Sequence, residues 1–271
     1  MEIAGKSPLP NFENPPVVET VLSAQFEPLA DMHTVHFGLF WERIRQQFPK
    51  TEDKPAIDPV FERFDDYNKS GPRLRFEARE AAVPERIWFV DEPGTEMLQL
   101  QVDRFIKNWR KSADEDIYPR YEKAIKPGFE RDFQQFDDFA REQSFGPIQI
   151  NQCEVTYVNH IVAGQGWHDW GEAGKIFSFL SGLNSLEDSI EDGAFVIRQT
   201  IFREGQKVGR LTIEVKPALT ERENKPMYVM NLMARGMTGS GIDFFNLGRR
   251  AIVSNFARLT MPAMHQVWSR K

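Results

Sequence analysis

Cysteine is nearly missing from this sequence. Cys153 stands alone among 271 residues, which excludes an intramolecular disulfide and any cluster of cysteine ligands around a metal. Long apolar runs are missing as well: none approaches the roughly 20 residues needed to cross a bilayer. The first sixteen residues, MEIAGKSPLPNFENPP, are polar and lack the apolar segment of a signal peptide. These two absences set the expectation of a cytoplasmic protein with no membrane attachment. No sign of charge dominates either. Lys and Arg number 34 against 40 Asp and Glu, and the net charge of -6 is spread with both signs interspersed, which argues against general nucleic-acid binding. The phosphate-loop lysine, the dinucleotide glycine spacing, GxSxG and HExxH are all absent. The five histidines, His33, His36, His160, His168 and His265, fall in no metal-ligand spacing. Hence no catalytic signature, cofactor or metal is expected.

What the chain does contain is alternation and amphipathic periodicity. After an irregular, proline-rich arm over residues 1–16, VVETVLSAQF (Val17 to Phe26) reads as a strand ended by Pro28. A helix follows, with Asp31 or Thr34 as cap and Val35, Leu39, Ile44, Phe48, Phe40 and Trp41 as its stripe. Lys50 to Ser70 has loop composition. Three strands come next, Arg73–Arg79, Arg86–Val90 and Met97–Ile106, with Glu92-Pro93-Gly94 as a turn; short connections favour an antiparallel meander. In the last of these Leu98, Leu100 and Val102 alternate with Gln99, Gln101 and Asp103, the pattern of a strand with one wet face. From Tyr121 to Gln143, Tyr121, Ile125, Phe129, Phe133, Phe136 and Phe139 recur at three and four residues, giving a long helix bent near Pro127-Gly128.

Phe145-Gly146-Pro147 marks a boundary, after which the order repeats: a strand over Gln152–Val162, a glycine-rich loop over Gly164–Gly171, a short helix over Ile176–Leu183, strands over Phe195–Arg203, Val208–Val215 and Met227–Ala234, and a helix over Gly241–Leu259. Glu204-Gly205 reads as a hairpin turn. The expected fold class is therefore α+β, built as an internal duplication: an arm (1–16) and two similar strand-helix-three strands-helix units (17–146 and 147–271), with antiparallel sheets and helices packed on one face. One fused sheet and two separate sheets both satisfy this order. The opposite sheet face is expected to be free.

Two glycine-rich stretches invite chemistry and have simpler explanations. His168-Asp169 reads as a cap for the following helix, and Gly236-Met-Thr-Gly-Ser-Gly241 as a strand-to-helix turn with Ser240 or Asp243 as cap. The candidate binding residues are Arg104, Asn108 and Arg110 in the first unit and Tyr157, Asn159 and His160 in the second. Arginine suits bidentate recognition of carboxylate or phosphate. If the units fuse about a pseudo-twofold axis, Arg104 and Asn108 approach Tyr157, Asn159 and His160 in a polar crevice at the junction. The competing account makes Arg104 part of a structural ion pair, with Trp109 anchored under the next helix.

The stretches NPPVVETVLSAQF, TEMLQLQVDRFIKNWRK, YPRYEKAIKPGFERDF, VTYVNHI and NFARLTM resemble those of a sporadically distributed family of bacterial proteins of about this length. The resemblance covers most of the chain, and the LQLQ…DRF…NWRK run is its most specific element. It implies a bacterial, cytosolic origin and a single full-length unit, and carries over no functional residues. The element order also resembles the duplicated saddle of TATA-box-binding proteins, at the level of fold alone. Together these readings favour a non-enzymatic binding protein whose partner is another protein, or a small anionic ligand held between the halves. An enzyme with a polar site near the junction, and a nucleic-acid-binding saddle, are the alternatives.

Overall fold

The β-branched, alternating run Val17–Phe26 forms strand β1 over the expected residues, and everything else in the computed structural model is arranged about it. The structure describes residues 8–64, 86–185, 191–239 and 241–271. The other strands are β2 (Lys50–Lys54), β3 (Arg86–Val90), β4 (Glu96–Gln101), β5 (Arg104–Arg110), β6 (Ile150–Val162), β7 (Phe195–Arg203), β8 (Gln206–Leu219) and β9 (Pro226–Gly236). They form one nine-stranded sheet in the order β2-β3-β4-β5-β1-β6-β9-β8-β7, with every pairing antiparallel. Of the two arrangements open to the sequence, the fused sheet is the one formed: β1 pairs β6 at its centre, with Leu22 opposite Val155. Outward from β1 run β5, β4 and β3; outward from β6 run β9, β8 and β7.

The five helices are α1 (Thr34–Ile44), α2 (Lys126–Glu142), α3 (Ala173–Ile176), α4 (Phe244–Leu259) and α5 (Pro262–Val267). The phenylalanine stripe of α2 packs on the sheet face that carries Phe26 and Phe105: ring centroids of Phe105 and Phe136 lie 5.6 Å apart, and those of Phe26 and Phe136 5.9 Å apart. Phe129 meets Phe245 of α4 at 4.9 Å, and Phe40 of α1 meets Phe136 at 5.5 Å, so the helices share one layer. Such edge-to-face and offset pairs contribute about 0.5–1.5 kcal/mol each beyond their buried area. Two glycines let α4 approach. Gly209 and Gly236 face each other across β8 and β9 under the Phe244 ring, and a Cβ on Gly236 would stand 2.2 Å from the Val208 carbonyl oxygen. The first glycine of the GMTGSG turn therefore serves close packing. Among the described residues no helix is long and apolar enough to cross a membrane.

Several expectations need correction. The α1 stripe is Phe37, Phe40 and Ile44, whereas Val35 and Leu39 are exposed, because the helix starts at Thr34 and rotates those two outward. Its cap is His33, whose backbone amide bonds the Nδ1 of His36, and not Asp31 or Thr34. The span Lys50–Lys54, expected to be loop, is edge strand β2; its charged KTEDK sequence suits an edge. The single strand Met97–Ile106 is two strands turning at Val102-Asp103. Before α2, the Pro127-Gly128 interruption is met by a π-helical turn over Tyr121–Ile125. Asp169 and Asp243 stand at cap positions but make no side-chain cap bonds; Glu172 reaches back to the His168 amide instead. The strand expected over Arg73–Arg79 and the cap Ser240 lie outside the described residues.

The face opposite the helices is not free. After β2 the chain crosses it as an extended strap, Pro55–Phe64, and buries the polar side of β4: Gln99, Gln101 and Asp103, expected to be wet, are all under a tenth exposed. On the helix side a buried charge cluster joins sheet to helix. Lys107 of β5 donates to Asp132 of α2 at 2.6 Å and to Glu96 of β4 at 2.9 Å, with Lys107 and Asp132 5% and 2% exposed. Removing Asp132 leaves the buried Lys107 with only the partly exposed Glu96 as partner, so Asp132→Ala is expected to lower stability by up to about 3 kcal/mol, whereas Lys107→Met with Asp132→Leu recovers most of the loss; urea denaturation of the two variants checks this.

At the C-terminal end, Arg270 Nη1 lies 3.0 Å from His265 Nδ1, which assigns the ring proton to Nε2, donated to Thr260 Oγ1 at 2.9 Å. Thr260 in turn donates to the Phe256 carbonyl at 2.7 Å. Burial, and then the Arg270 charge, hold His265 below its ordinary value of 6.5. A histidine with a depressed folded value contributes stability that is full above the unfolded value and is lost as pH falls through the folded one. Urea midpoints followed from about pH 8 to about pH 5 should therefore fall less steeply in His265→Gln than in the parent protein.

Candidate functional site

Where β1 and β6 join, α4 and the π-helical turn stand apart and leave a cleft of about 630 Å³. Its floor is β6 and β9, its walls are α4 and the turn at Tyr121, and its rim is the N-terminal arm. The arm is docked by Phe12, buried edge-on against Phe256 at 5.5 Å, and by Arg120, which donates to the Phe12 and Glu13 carbonyls at 2.7 and 3.2 Å. Residues of both halves and of the arm thus complete one enclosure.

Inside it, the Tyr118 and Tyr157 hydroxyls meet at 2.9 Å, and Trp109 packs edge-on against Tyr118 at 5.8 Å. Tyr121 donates to Asn246 Oδ1 at 3.2 Å. Asn159 donates to the Met230 carbonyl at 3.1 Å, which fixes its amide toward β9. Arg120, Lys123 and Lys271 line the cleft, as does Arg249 of α4. Its guanidinium lies 4.7 Å from the Tyr121 ring centroid, and Nη1 pairs with the exposed Glu122 at 2.5 Å. Arg249 Nε is buried and has no hydrogen-bond partner among the described residues, while the guanidinium as a whole lies within hydrogen-bonding reach of the Tyr157 hydroxyl. Thr20, opposite Tyr157 in the β1–β6 register, likewise keeps a buried hydroxyl without a partner.

Burial, and then the neighbouring Tyr157, raise the Tyr118 phenol well above its ordinary value. Burial does the same to Tyr121 and Tyr157, and Arg249 opposes the rise in each case. All three phenols therefore stay protonated; the Tyr121 proton is committed to Asn246 and one proton of the Tyr118–Tyr157 pair to the bond between them, which leaves one phenolic O–H to offer. A neutral hydroxyl donor beside a guanidinium with a free N–H suits a small carboxylate or phosphate. Among the described residues no group of three or more His, Cys, Asp or Glu side chains is placed to hold a metal ion. Cys153 is buried, and its thiol is pushed up to about 12, which removes thiolate chemistry near neutrality.

The six sequence candidates do not converge. Tyr157 and Asn159 line this cleft. The other four lie on the strap side of the sheet, because residues of β5 and β6 alternate between its faces. Arg104 donates to Gln25 Oε1 at 2.6 Å and to the Asp58 carbonyl at 3.1 Å. Asn108 belongs to a chain of hydrogen bonds from Arg86 through Gln99 and Asn108 to Glu19, at 2.7, 2.9 and 2.6 Å. Arg110 holds the Gly94 carbonyl at 2.7 Å and shares a hollow of about 330 Å³ with His160. The expected meeting of Arg104 and Asn108 with Tyr157 and Asn159 is thus corrected: a sheet separates them. The junction arginine is Arg249, and the sequence does carry a sign of it. Arg249 falls four residues after Phe245 and three before Ile252, on the apolar stripe of α4, where a lone cation needs a reason. Comparison with known proteins finds no family model that matches this chain and no matching curated protein.

Proposed function

We propose that this chain is a non-enzymatic binding protein that holds a small anionic ligand, a carboxylate or phosphate, in the cleft between two similar α+β units. The observation that carries the reading is Arg249: a buried guanidinium N–H without a partner, beside the paired Tyr118 and Tyr157 hydroxyls, in a cleft large enough for a metabolite. Internal duplication belongs to the same reading. It is supported by the strand order, which repeats outward from the β1–β6 pair, and by α2 and α4, each of which follows the last strand of its half; β2 is the extra strand of the first unit. The family resemblance supports a bacterial, cytoplasmic setting.

Titration calorimetry with a panel of mono- and dicarboxylates and inorganic phosphate tests the site. At least one member is expected to bind and to raise the melting temperature. Arg249→Ala should weaken that binding about tenfold to a hundredfold, the loss of one or more charged hydrogen bonds of about 1.5–3 kcal/mol each. Tyr157→Phe should weaken it less, and both variants should stay folded, since Glu122 is exposed. Binding left unchanged by Arg249→Ala removes the assignment.

A further inference from the structure

The strap over the helix-free face is held in an unusual way: the sheet grips its backbone. Arg86 donates to the Pro55 carbonyl at 3.0 Å. The Gln101 side chain accepts from the Ile57 amide and donates to the Ile57 carbonyl, both at 3.0 Å, so one amide side chain clamps both backbone polar groups of one residue. Arg104 takes the Asp58 carbonyl at 3.1 Å, Gln25 the Val60 amide at 3.0 Å, and Arg210 the Arg63 carbonyl at 2.8 Å. These anchors sit on β3, β4, β5, β1 and β8 in turn, so the strap crosses the sheet from one half to the other. Six inter-strand spacings of about 4.8 Å make about 29 Å, close to the limit for the stretch from Pro55 to Arg63 at about 3.3–3.6 Å per residue. The strap is therefore nearly fully extended. Only near its far end does the sheet read side chains: Glu62 lies between Arg210 at 2.8 Å and Arg235 at 3.6 Å, and the Phe64 ring lies 5.7 Å from the Arg210 guanidinium.

Two further observations show that this occupant fits the face loosely. The strap is apolar where it gains little, with Val60 and Phe61 38% and 48% exposed. Beneath and beside it, Trp88 Nε1, Arg104 Nε and Gln152 Oε1 are buried without partners among the described residues. Register places all three side chains on this face. Burial also outweighs Arg210 and Arg235 at the Glu62 carboxyl and raises it above the ordinary range, so the ionic latch carries its own desolvation penalty.

From these contacts we infer that the helix-free face is a groove for an extended, acidic segment of a partner polypeptide, and that Pro55–Phe64 is a built-in occupant which the partner displaces. A surface that clamps successive main-chain amides and carbonyls accepts any extended chain. The Arg210–Arg235 pair then selects one with a carboxylate at the position of Glu62. The groove lies across the sheet from the cleft and does not depend on the ligand proposed there.

A fluorescent peptide of residues 55–64, PAIDPVFERF, titrated by anisotropy against the full chain supplies the test. Glu62→Gln in the protein loosens its own strap, so this variant should bind the peptide at least about tenfold more tightly than the parent does. Adding Gln101→Ala, or replacing the glutamate of the peptide with lysine, should abolish the gain. In the unaltered protein, hydrogen exchange should find the Ile57 and Val60 amides opening far more readily than those of β1. Peptide binding absent from both proteins, or indifferent to Gln101→Ala, overturns the proposal. So does exchange of the strap amides only with global unfolding, which makes the strap a fixed part of the fold. Binding of an oligonucleotide by Glu62→Gln in place of the peptide overturns it in favour of a nucleic-acid partner.

Discussion

The antiparallel pairing of β1 with β6 is the joint on which the rest of this molecule depends. It turns two half-sheets into one, with Leu22 facing Val155 and Ala24 facing Cys153 on the helix side. Because α2 and α4 each follow the outgoing strand of their own half, the joint also brings them together, Phe129 against Phe245, and leaves the cleft between α4 and the π-helical turn before α2. On the other face the same pairing sets Gln25 diagonally beside Glu154, which faces Arg235, so that a single extended segment can cross from Gln101 to Arg210.

The two faces solve the burial of polar groups differently. On the helix side, apolar and aromatic residues dominate, and the buried charges Lys107 and Asp132 neutralise each other. On the strap side the sheet presents glutamines, an asparagine and arginines whose groups would otherwise face water, and the backbone of the strap replaces that water. A buried polar group is tolerated when it is hydrogen-bonded. The strap meets this condition for Gln25 and Gln101 and leaves Arg104 Nε unmet.

Much of the fold could be read from the sequence, because strand periodicity and the phenylalanine stripe of α2 are local signals. The runs at Val17, at the start of β6 and across β7 to β9 gave strands near their observed places, and Glu204-Gly205 turns with φ of 52° and 79°, as a tight hairpin requires. The misread elements were those decided from afar. The turn at Val102-Asp103 contains neither glycine nor proline, so nothing local breaks the alternation there. Charged β2 looks like loop because an edge strand has no apolar face to display. The wet face of β4 is covered by a segment some forty residues earlier in the chain, a contact between polar partners that leaves no periodic trace. The site followed the same logic. Tyr157 and Asn159 were visible as polar residues in a strand, but whether an arginine joined them depended on which face each strand residue takes, and the parity of β5 sends Arg104 to the far side.

The position of the joint also sets an order of assembly. Hairpins β3-β4, β4-β5, β7-β8 and β8-β9 link neighbours in sequence and can close quickly, whereas bringing Leu22 to Val155 means closing a long loop whose entropy must be met before any contact rewards it. The joint is thus a late step, and the strap, with anchors on both sides of it, cannot be fully seated earlier. Until then the chain carries two long unpaired strand edges, those of β1 and β6, rich in valine and open to pairing with other chains. The vulnerability of this protein to aggregation lies at the centre of its sheet, in the interval before its two halves meet.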